Sequence, residues 1–379
     1  MAKSNPIYLD YAAATPLSPK VLSSMMPYLK LNFYNPSAIY RSAVNVQKDL
    51  SNARKRVAEI LGAKDQEIVF TAGASEANNL AIKGVMDLHQ KANIVISSIE
   101  HESVITPARN YDYKLCKVKS DGRIDLEHLE KLIDGQTVLV SVMHANNEIG
   151  VVQPLSRIGQ IIERKRLVRK NKLPLYFHSD AAQSPNYLDL HTAKLKVDLL
   201  SLNGSKIYGP KQSGALFIKS GVLLSPQIEG GGQEFNLRSG TENVAGIIGF
   251  SKALKEAQVL KDSESKRLLA LKQLLLNKLS DNFSDAEFNG SLKFSLPNNL
   301  SVYFPAIDNE RLLLELDELG IMAAAGSACS ASKNEASHVL KAIGKSDSYA
   351  RSVIRFSLGR GTSEKQLLET IKALKKIIK

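Results

Sequence analysis

The chain is predicted to be an α/β protein with a mostly parallel sheet, joined to a smaller α+β region. Two observations carry this. Over roughly the first 250 residues, short β-rich apolar runs alternate with helical periods; beyond about residue 243 the alternation stops and one long amphipathic stretch takes over. The runs EIVF (67–70), NIVISS (93–98), TVLVSVMH (137–144), LPLYFHSD (173–180), VDLLSLNG (197–204) and GALFIK (214–219) are apolar throughout most of their length, as strands covered on both faces must be. Helical periods fall between them at 75–90, 125–133 and 154–170. In the second region, leucines at helical spacing predict a helix over 254–279. NLSVYF (299–304), ERLLLELDELG (310–320) and SVIRFSLG (352–359) then read as strand, helix, strand. Ser363 and Gln366 form a capping box ahead of a last helix with Leu367, Leu368, Ile371, Leu374 and Ile378 on one stripe.

Composition narrows the class. A length of 379 residues suits two domains, and 44% apolar with 23% charged residues is the balance of a soluble globular protein. No apolar run approaches a membrane span, and the N-terminal MAKSNPIYLDYAAATP lacks the basic-then-apolar pattern of a signal peptide. Two cysteines, Cys116 and Cys329, make no disulfide framework; a reducing, cytoplasmic setting is expected. The net charge of +12 favours acidic partners in general. The densest basic runs, ERKRLVRKNK (163–172) and KALKKIIK (372–379), read as solvated helix faces without interleaved aromatics, so no direct nucleic-acid contact is expected. None of the seven histidines pairs with another at a short ligand spacing, so no histidine-built metal site is expected.

In open α/β sheets ligands gather at the carboxyl ends of strands, and the predicted strand ends deliver Asn147, Asp180, Gln183 and Lys206 to one edge. Lys206, between Gly204 and Gly209, reads either as a surface turn residue or as a lysine in a desolvated cleft able to form a Schiff base. Asp180 reads either as a cap for a helix after the strand or as a carboxylate facing a pyridine nitrogen, with the Gln183 amide turned to a ring hydroxyl. In TAGASEANNLAIKG (71–84) the N–H groups of Ala74 and Ser75 open a helix and offer a phosphate cradle. EGGGQEFNLRSGT (229–241) is a second glycine-rich loop, ending at Thr241. His101, just past a strand, is either solvated or placed to stack on a flat cofactor and move protons. GSACSAS (326–332) sets Cys329 among small residues only, unlike the large apolar neighbours of a buried structural cysteine. Cys116, in the alternating YKLCKVK, reads as a structural strand residue.

Taken together, YLDYAAATP, NPSA, TAGASEANNLAIKG, HANNEIGVVQP, HSDAAQS, VDLLSLNGSKIYGPK, EGGGQEFNLRSGTENV, AAGSACSAS and IRFSLGRGT stand in an order and spacing that resembles the cysteine desulfurases of the NifS/IscS type. The resemblance covers nearly the whole chain. It implies a pyridoxal 5′-phosphate (PLP)-dependent transferase of the aspartate aminotransferase-like fold type I, in the class V aminotransferase family. It further implies a large PLP-binding α/β domain over 15–255 and a small α+β domain from 1–14 and 256–379 that carries the Cys329 loop. By the same resemblance, Lys206 holds the cofactor and later moves the substrate's Cα proton, Asp180 pairs with the ring nitrogen, Gln183 with the ring hydroxyl, and His101 stacks on the ring. Ala74, Ser75, Asn203 and Ser205 line the phosphate, and Thr241 reaches the phosphate of the neighbouring subunit, which makes a homodimer part of the expectation. Asn147 and Arg355 bind the substrate carboxylate. L-cysteine becomes L-alanine while its sulfur passes to Cys329 as a persulfide, then to an acceptor such as an iron–sulfur scaffold or a tRNA-thiolation enzyme. Glycine and serine around Cys329 suit a segment that must travel. About 25 residues lie between Cys329 and Arg355, similar to the long-loop subgroup of the family.

Three positions depart from the family pattern. Ser205 stands where the family usually has histidine before the lysine, Asn203 where it has serine, and Tyr40 where the NPSS-x-H motif has histidine. Loss of one charge-assisted phosphate contact is worth roughly 1.5–3 kcal/mol, so weaker cofactor anchoring is expected rather than loss of chemistry. Two other readings stay open on the sequence: another PLP enzyme of this fold, such as a selenocysteine lyase or an aminotransferase, or a non-catalytic scaffold homologue.

Overall fold

The computed structural model describes residues 6–326 and 336–378. The chain opens with a short strand, β1 (Ile7–Tyr8). Seven strands then build the main sheet: β2 (Ile68–Thr71), β3 (Asn93–Ser97), β4 (Asp112–Cys116), β5 (Thr137–Ser141), β6 (Tyr176–Asp180), β7 (Leu199–Asn203) and β8 (Gly214–Ile218). Their order is β2-β8-β7-β6-β5-β3-β4. Only β8 runs against its neighbours, so β2 to β7 all point their carboxyl ends to one edge. Alternate residues serve opposite cores: Val95, Val140, Phe177, Leu200 and Phe217 pack on one face, Ile94, Ile96, Leu139, Leu199 and Leu216 on the other. Burial on both faces is why these strands read as unbroken apolar runs. At the sheet margin, β4 is exposed along most of its length, and Cys116 at its end is buried. Burial pushes the Cys116 thiol up to about 12, which leaves it inert, as a structural strand residue should be.

The helix predicted over 254–279 starts earlier and runs from Val244 to Asn282. Asn243 is the reason: its side chain accepts the Gly246 N–H at 3.0 Å and caps the first turn. Ile247, Phe250, Ala253, Leu254 and Ala257 on this helix belong to the first core. Leu268, Leu275 and Leu279, further along, belong to a different one with Ile7, Leu9, Leu300, Val302 and Phe356. That second core sits under β9 (Glu287–Asn289), β10 (Asn299–Tyr303) and β12 (Val353–Ser357), paired antiparallel in the order β12-β10-β9. Strand β11 (Ile321–Met322) pairs in parallel with β1, which ties the N-terminal segment to the same region. The Ser363–Gln366 box is present, with the Ser363 N–H donating to Gln366 Oε1 at 3.0 Å before the helix Glu364–Ile378. A further cluster of Ile99, Met143, Ile149 and Val151 with Val339, Leu340, Ile343 and Val353 packs the loop after β5 against β12. Among the described residues, no helix is long and apolar enough to cross a membrane.

Candidate active site at the carboxyl edge of the sheet

Each candidate from the main sheet leaves a strand at its carboxyl end. β2 leads through Gly73 into the helix Ala74–Asp87. Gly73 has φ +140°, a conformation closed to side chains, and a Cβ on Gly214 would stand 2.7 Å from the Gly73 Cα. The two glycines therefore let the helix start approach the strands that carry Asn203, whose Oδ1 lies 3.8 Å from where a Gly73 Cβ would be. Ala74 and Ser75, as the first residues of that helix, have N–H groups without intrahelical acceptors. A helix start beside the exit of β7 suits an anion.

Asp180 ends β6 and is buried, with two neutral donors on its carboxylate. Asn78 Nδ2 donates to Oδ2 at 2.7 Å, and the Ala182 N–H donates to Oδ1 at 2.8 Å. Asn78 is itself fully buried on the helix Ala74–Asp87, and the same Nδ2 donates to Ser103 Oγ at 2.8 Å. Ser103 in turn meets His101: its N–H donates to Nδ1 at 3.1 Å and its Oγ lies 2.8 Å from Nδ1. Because Nδ1 accepts a backbone N–H, the neutral ring carries its proton on Nε2. His101 also caps the helix Glu102–Ala108, so its orientation is built into the chain's turn. Behind Asp180 on the same strand, His178 is fully buried between Ser141 Oγ (2.8 Å from Nδ1) and Ser201 Oγ (3.0 Å from Nε2), and burial lowers its pKa to about 4. Burial raises the carboxyl of Glu100, next to His101, well above the usual range, with the Asp180 charge adding to the effect.

The N-terminal segment crosses this edge as a strap. Lys206 Nζ donates to the Ala13 carbonyl and Gln183 Nε2 to the Ala12 carbonyl, the latter at 3.0 Å. The Thr15 hydroxyl donates to the Ser205 carbonyl at 3.0 Å and accepts the Tyr208 N–H at 2.7 Å, which fixes the loop around Lys206 from both sides. Arg355, on β12, is buried to 1% exposure. Its Nη2 donates to Asp10 Oδ1 at 2.6 Å and its Nη1 to the Asn147 carbonyl at 3.0 Å. Its Nε is buried with no hydrogen-bond partner among the described residues. An unmatched guanidinium donor in a buried site is a receptor for one more anionic oxygen.

The sequence candidates thus divide. Asp180 and His101 are joined through Asn78 and Ser103, Lys206 and Gln183 both donate to carbonyls of the strap at Ala13 and Ala12, and Arg355 donates to the Asn147 carbonyl. Asn203 and Ser205 contact each other: the Ser205 N–H and Oγ donate to Asn203 Oδ1 at 3.1 and 3.0 Å, which leaves Asn203 Nδ2 as the remaining side-chain donor of the pair. Tyr40 is half exposed in an aromatic group with Tyr34 and Phe33. Thr241 is exposed after Gly240, away from these networks in the single chain. Cys329 lies outside the described residues. On either side of that segment, Glu148 Oε2 accepts from Ser337 Oγ at 2.5 Å and lies 3.1 Å from a Cβ position on Gly326. Asp10, Asn78, Ser103 and Glu148 were not singled out from sequence. Asn78 carried a signal: it is the polar residue on the buried stripe with Ala74, Ala81, Ile82 and Val85.

A buried carboxylate, a strand-end lysine, an amide and a helix start stand at the carboxyl edge of a mostly parallel sheet, a donor set that fits the ring nitrogen, aldehyde, hydroxyl and phosphate of pyridoxal phosphate on a fold type I transferase scaffold. Comparison with known proteins sharpens the class. The aminotransferase class-V model matches residues 7–369. Cysteine desulfurase IscS of Dictyoglomus turgidum is 40% identical over 379 aligned residues, covering 98% of this chain and 94% of that protein. A solved NifS-like protein superposes with a TM-score of 0.91 at 33% identity, covering 98% of this chain and 99% of the other. The structure of SspA in complex with cysteine gives a TM-score of 0.80 at 35% identity over 93% of this chain and 98% of SspA. The chain belongs to the aminotransferase class-V family, among its cysteine desulfurases of the NifS/IscS type.

Proposed function

We propose that this protein binds pyridoxal phosphate and converts L-cysteine to L-alanine, handing the sulfur to Cys329 and from there to an acceptor protein for iron–sulfur assembly or tRNA thiolation. The observation that carries the reading is the convergence on one strap: Lys206, Gln183 and Arg355 all bond to residues 10–13. When bound, the cofactor supplies an electron sink for charge developing at the substrate Cα. Lys206 holds the cofactor and moves the Cα proton. Asp180 keeps the ring nitrogen protonated, Gln183 holds the ring hydroxyl, and His101 covers the ring. Ala74, Ser75, Asn203 and Ser205 face the phosphate, with Thr241 supplied to the partner subunit of a homodimer. Arg355 Nε and the Asn147 side chain take the substrate carboxylate. The Cys329 thiolate attacks the substrate sulfur; the new S–S bond uses the thiolate pair, while the broken C–S bond leaves its pair on carbon, which a proton then captures to give alanine. The large 15–255 and small 1–14 plus 256–379 units, and a cytoplasmic setting, accompany this reading.

The test is direct. Purified protein given pyridoxal phosphate, L-cysteine and an excess of a thiol reductant, which takes the persulfide sulfur off as sulfide while it is itself oxidised to a disulfide, is expected to form alanine and sulfide in equal amounts. Cys329→Ser is expected to keep the visible band of bound cofactor and lose sulfide release. Normal sulfide output from that variant would overturn the persulfide step, and transamination or selenocysteine cleavage without cysteine turnover would overturn the substrate.

A further inference from the structure

The geometry points to Asn78 as a positioning residue that, through one buried amide nitrogen, locks the Asp180 carboxylate and the Ser103–His101 pair into a single unit. Asn78 Nδ2 stands 2.7 Å from Asp180 Oδ2 and 2.8 Å from Ser103 Oγ, so its two protons serve one acceptor each. Accepting that proton leaves the Ser103 hydroxyl proton to share His101 Nδ1, 2.8 Å away, with the Ser103 N–H. The chain of donation therefore has one direction, from the amide to both flanks, and rotation of the amide breaks its bonds to Asp180 and Ser103 together. The amide cannot be flipped, because its Oδ1 would then face the Asp180 carboxylate; in the present orientation Oδ1 is buried without a partner among the described residues. Leaving a buried amide oxygen unmatched costs stability. The fold accepts that cost in exchange for an oriented donor. The helix that carries Asn78 is also the one whose first turn holds Ala74 and Ser75, so phosphate cradle and carboxylate holder move as one rigid body.

This deepens the proposed function and rests on its reading of Asp180 as the ring-nitrogen partner. The experiment measures the pyridoxal phosphate dissociation constant from visible absorption for the wild type, Asn78→Ala, Asp180→Asn and the double variant. Asn78→Ala alone is expected to weaken binding about ten- to a hundredfold. In the Asp180→Asn background the same change is expected to cost less than about threefold, because the ionised carboxylate whose orientation Asn78 serves is already gone, although an acceptor for the amide remains. An equal loss in both backgrounds would overturn the inference, since Asn78 would then act through packing alone. Ser103→Ala, which leaves the buried amide in place, covers the case in which Asn78→Ala fails to fold. It is expected to shift the midpoint of the pH titration of the bound-cofactor band, and an unchanged midpoint would overturn the link to His101. A wild type that takes up no pyridoxal phosphate would overturn the proposed function and this inference with it, whereas wild-type binding with additive variants overturns the inference alone.

Discussion

Asp180 and Arg355 are both charged side chains that the fold buries, yet they are held in different ways. Asp180 sits at the end of a central strand and receives its hydrogen bonds from neutral groups, the Asn78 amide and the Ala182 N–H. Arg355 comes from the second sheet and is held by an opposite charge, Asp10, with the Asn147 carbonyl beside it. Neutral donors orient a carboxylate and leave its charge for a bound cation. A carboxylate partner orients a guanidinium and balances part of its charge, and the Nε, without a partner among the described residues, is left for a ligand. The first arrangement suits a ring nitrogen that must stay protonated through the reaction. The second suits a substrate that must arrive and leave.

Removing Asp180 breaks the first region outright. Asp180→Ala is expected to lower kcat by about 10²–10³, in line with loss of one preorganised charged group, with cofactor lost on gel filtration. Sulfide release within tenfold of the wild type would contradict it. Removing Arg355 breaks the second. Arg355→Ala is expected to raise KM for L-cysteine by about one to two decades while kcat falls less, because a charge-assisted contact to the carboxylate is worth roughly 1.5–3 kcal/mol. A kcat effect larger than the KM effect would assign Arg355 to the chemistry and not to binding.

A subtler change separates charge from geometry at Arg355. Asp10→Asn keeps an acceptor near Nη2 and removes the counter-charge, so KM is expected to change by less than about tenfold while the melting temperature falls by several degrees. Its effect and that of Arg355→Ala should be strongly non-additive in a double-mutant cycle; additivity would mean the pair at 2.6 Å contributes nothing as a pair.

The smallest effect concerns pH. His178, fully buried behind Asp180, has its pKa lowered to about 4 by burial. As pH falls below the ordinary value near 6.5, the unfolded chain takes up this proton while the folded chain does not, so stability is lost between about 6.5 and 4. The loss is about 2 kcal/mol at pH 5 for this group. His144, also lowered to about 4 by burial, acts in the same direction. Glu100, raised by burial, acts the opposite way and gains stability as acidification protonates the folded state first. His178→Gln is therefore expected to shrink the fall in melting temperature between pH 7 and pH 5 by a few degrees. An identical fall in the variant would remove His178 from the acid response.

The sheet-edge residues were the legible part of the site. Asp180 ends, and Gln183 and Lys206 follow, runs whose apolar composition marks buried strands, and the strand-end rule then sets them, with Asn147, along one edge. Even the long helix was legible except for its start, where the Asn243 cap overrides the weaker leucine pattern. Asp10 was not legible in role: it lies at the opposite end of the chain from Arg355, and no periodicity relates residues 345 positions apart. Asn78 was half legible, as a polar residue on a buried helical stripe, but its partners Asp180 and Ser103 come from two other elements.

Local pattern therefore determined the alternating strands and helices, the common edge to which the strand ends point, and the motifs that carry the family resemblance, because those features depend on neighbours a few residues apart. Tertiary structure alone decided that residues 10–13 cross that edge and gather Lys206, Gln183 and Arg355, and that one buried amide serves both Asp180 and Ser103. These are contacts between elements far apart in the chain, set by how the second core docks β1 and β12 against the main sheet, and a linear pattern carries no term for that docking.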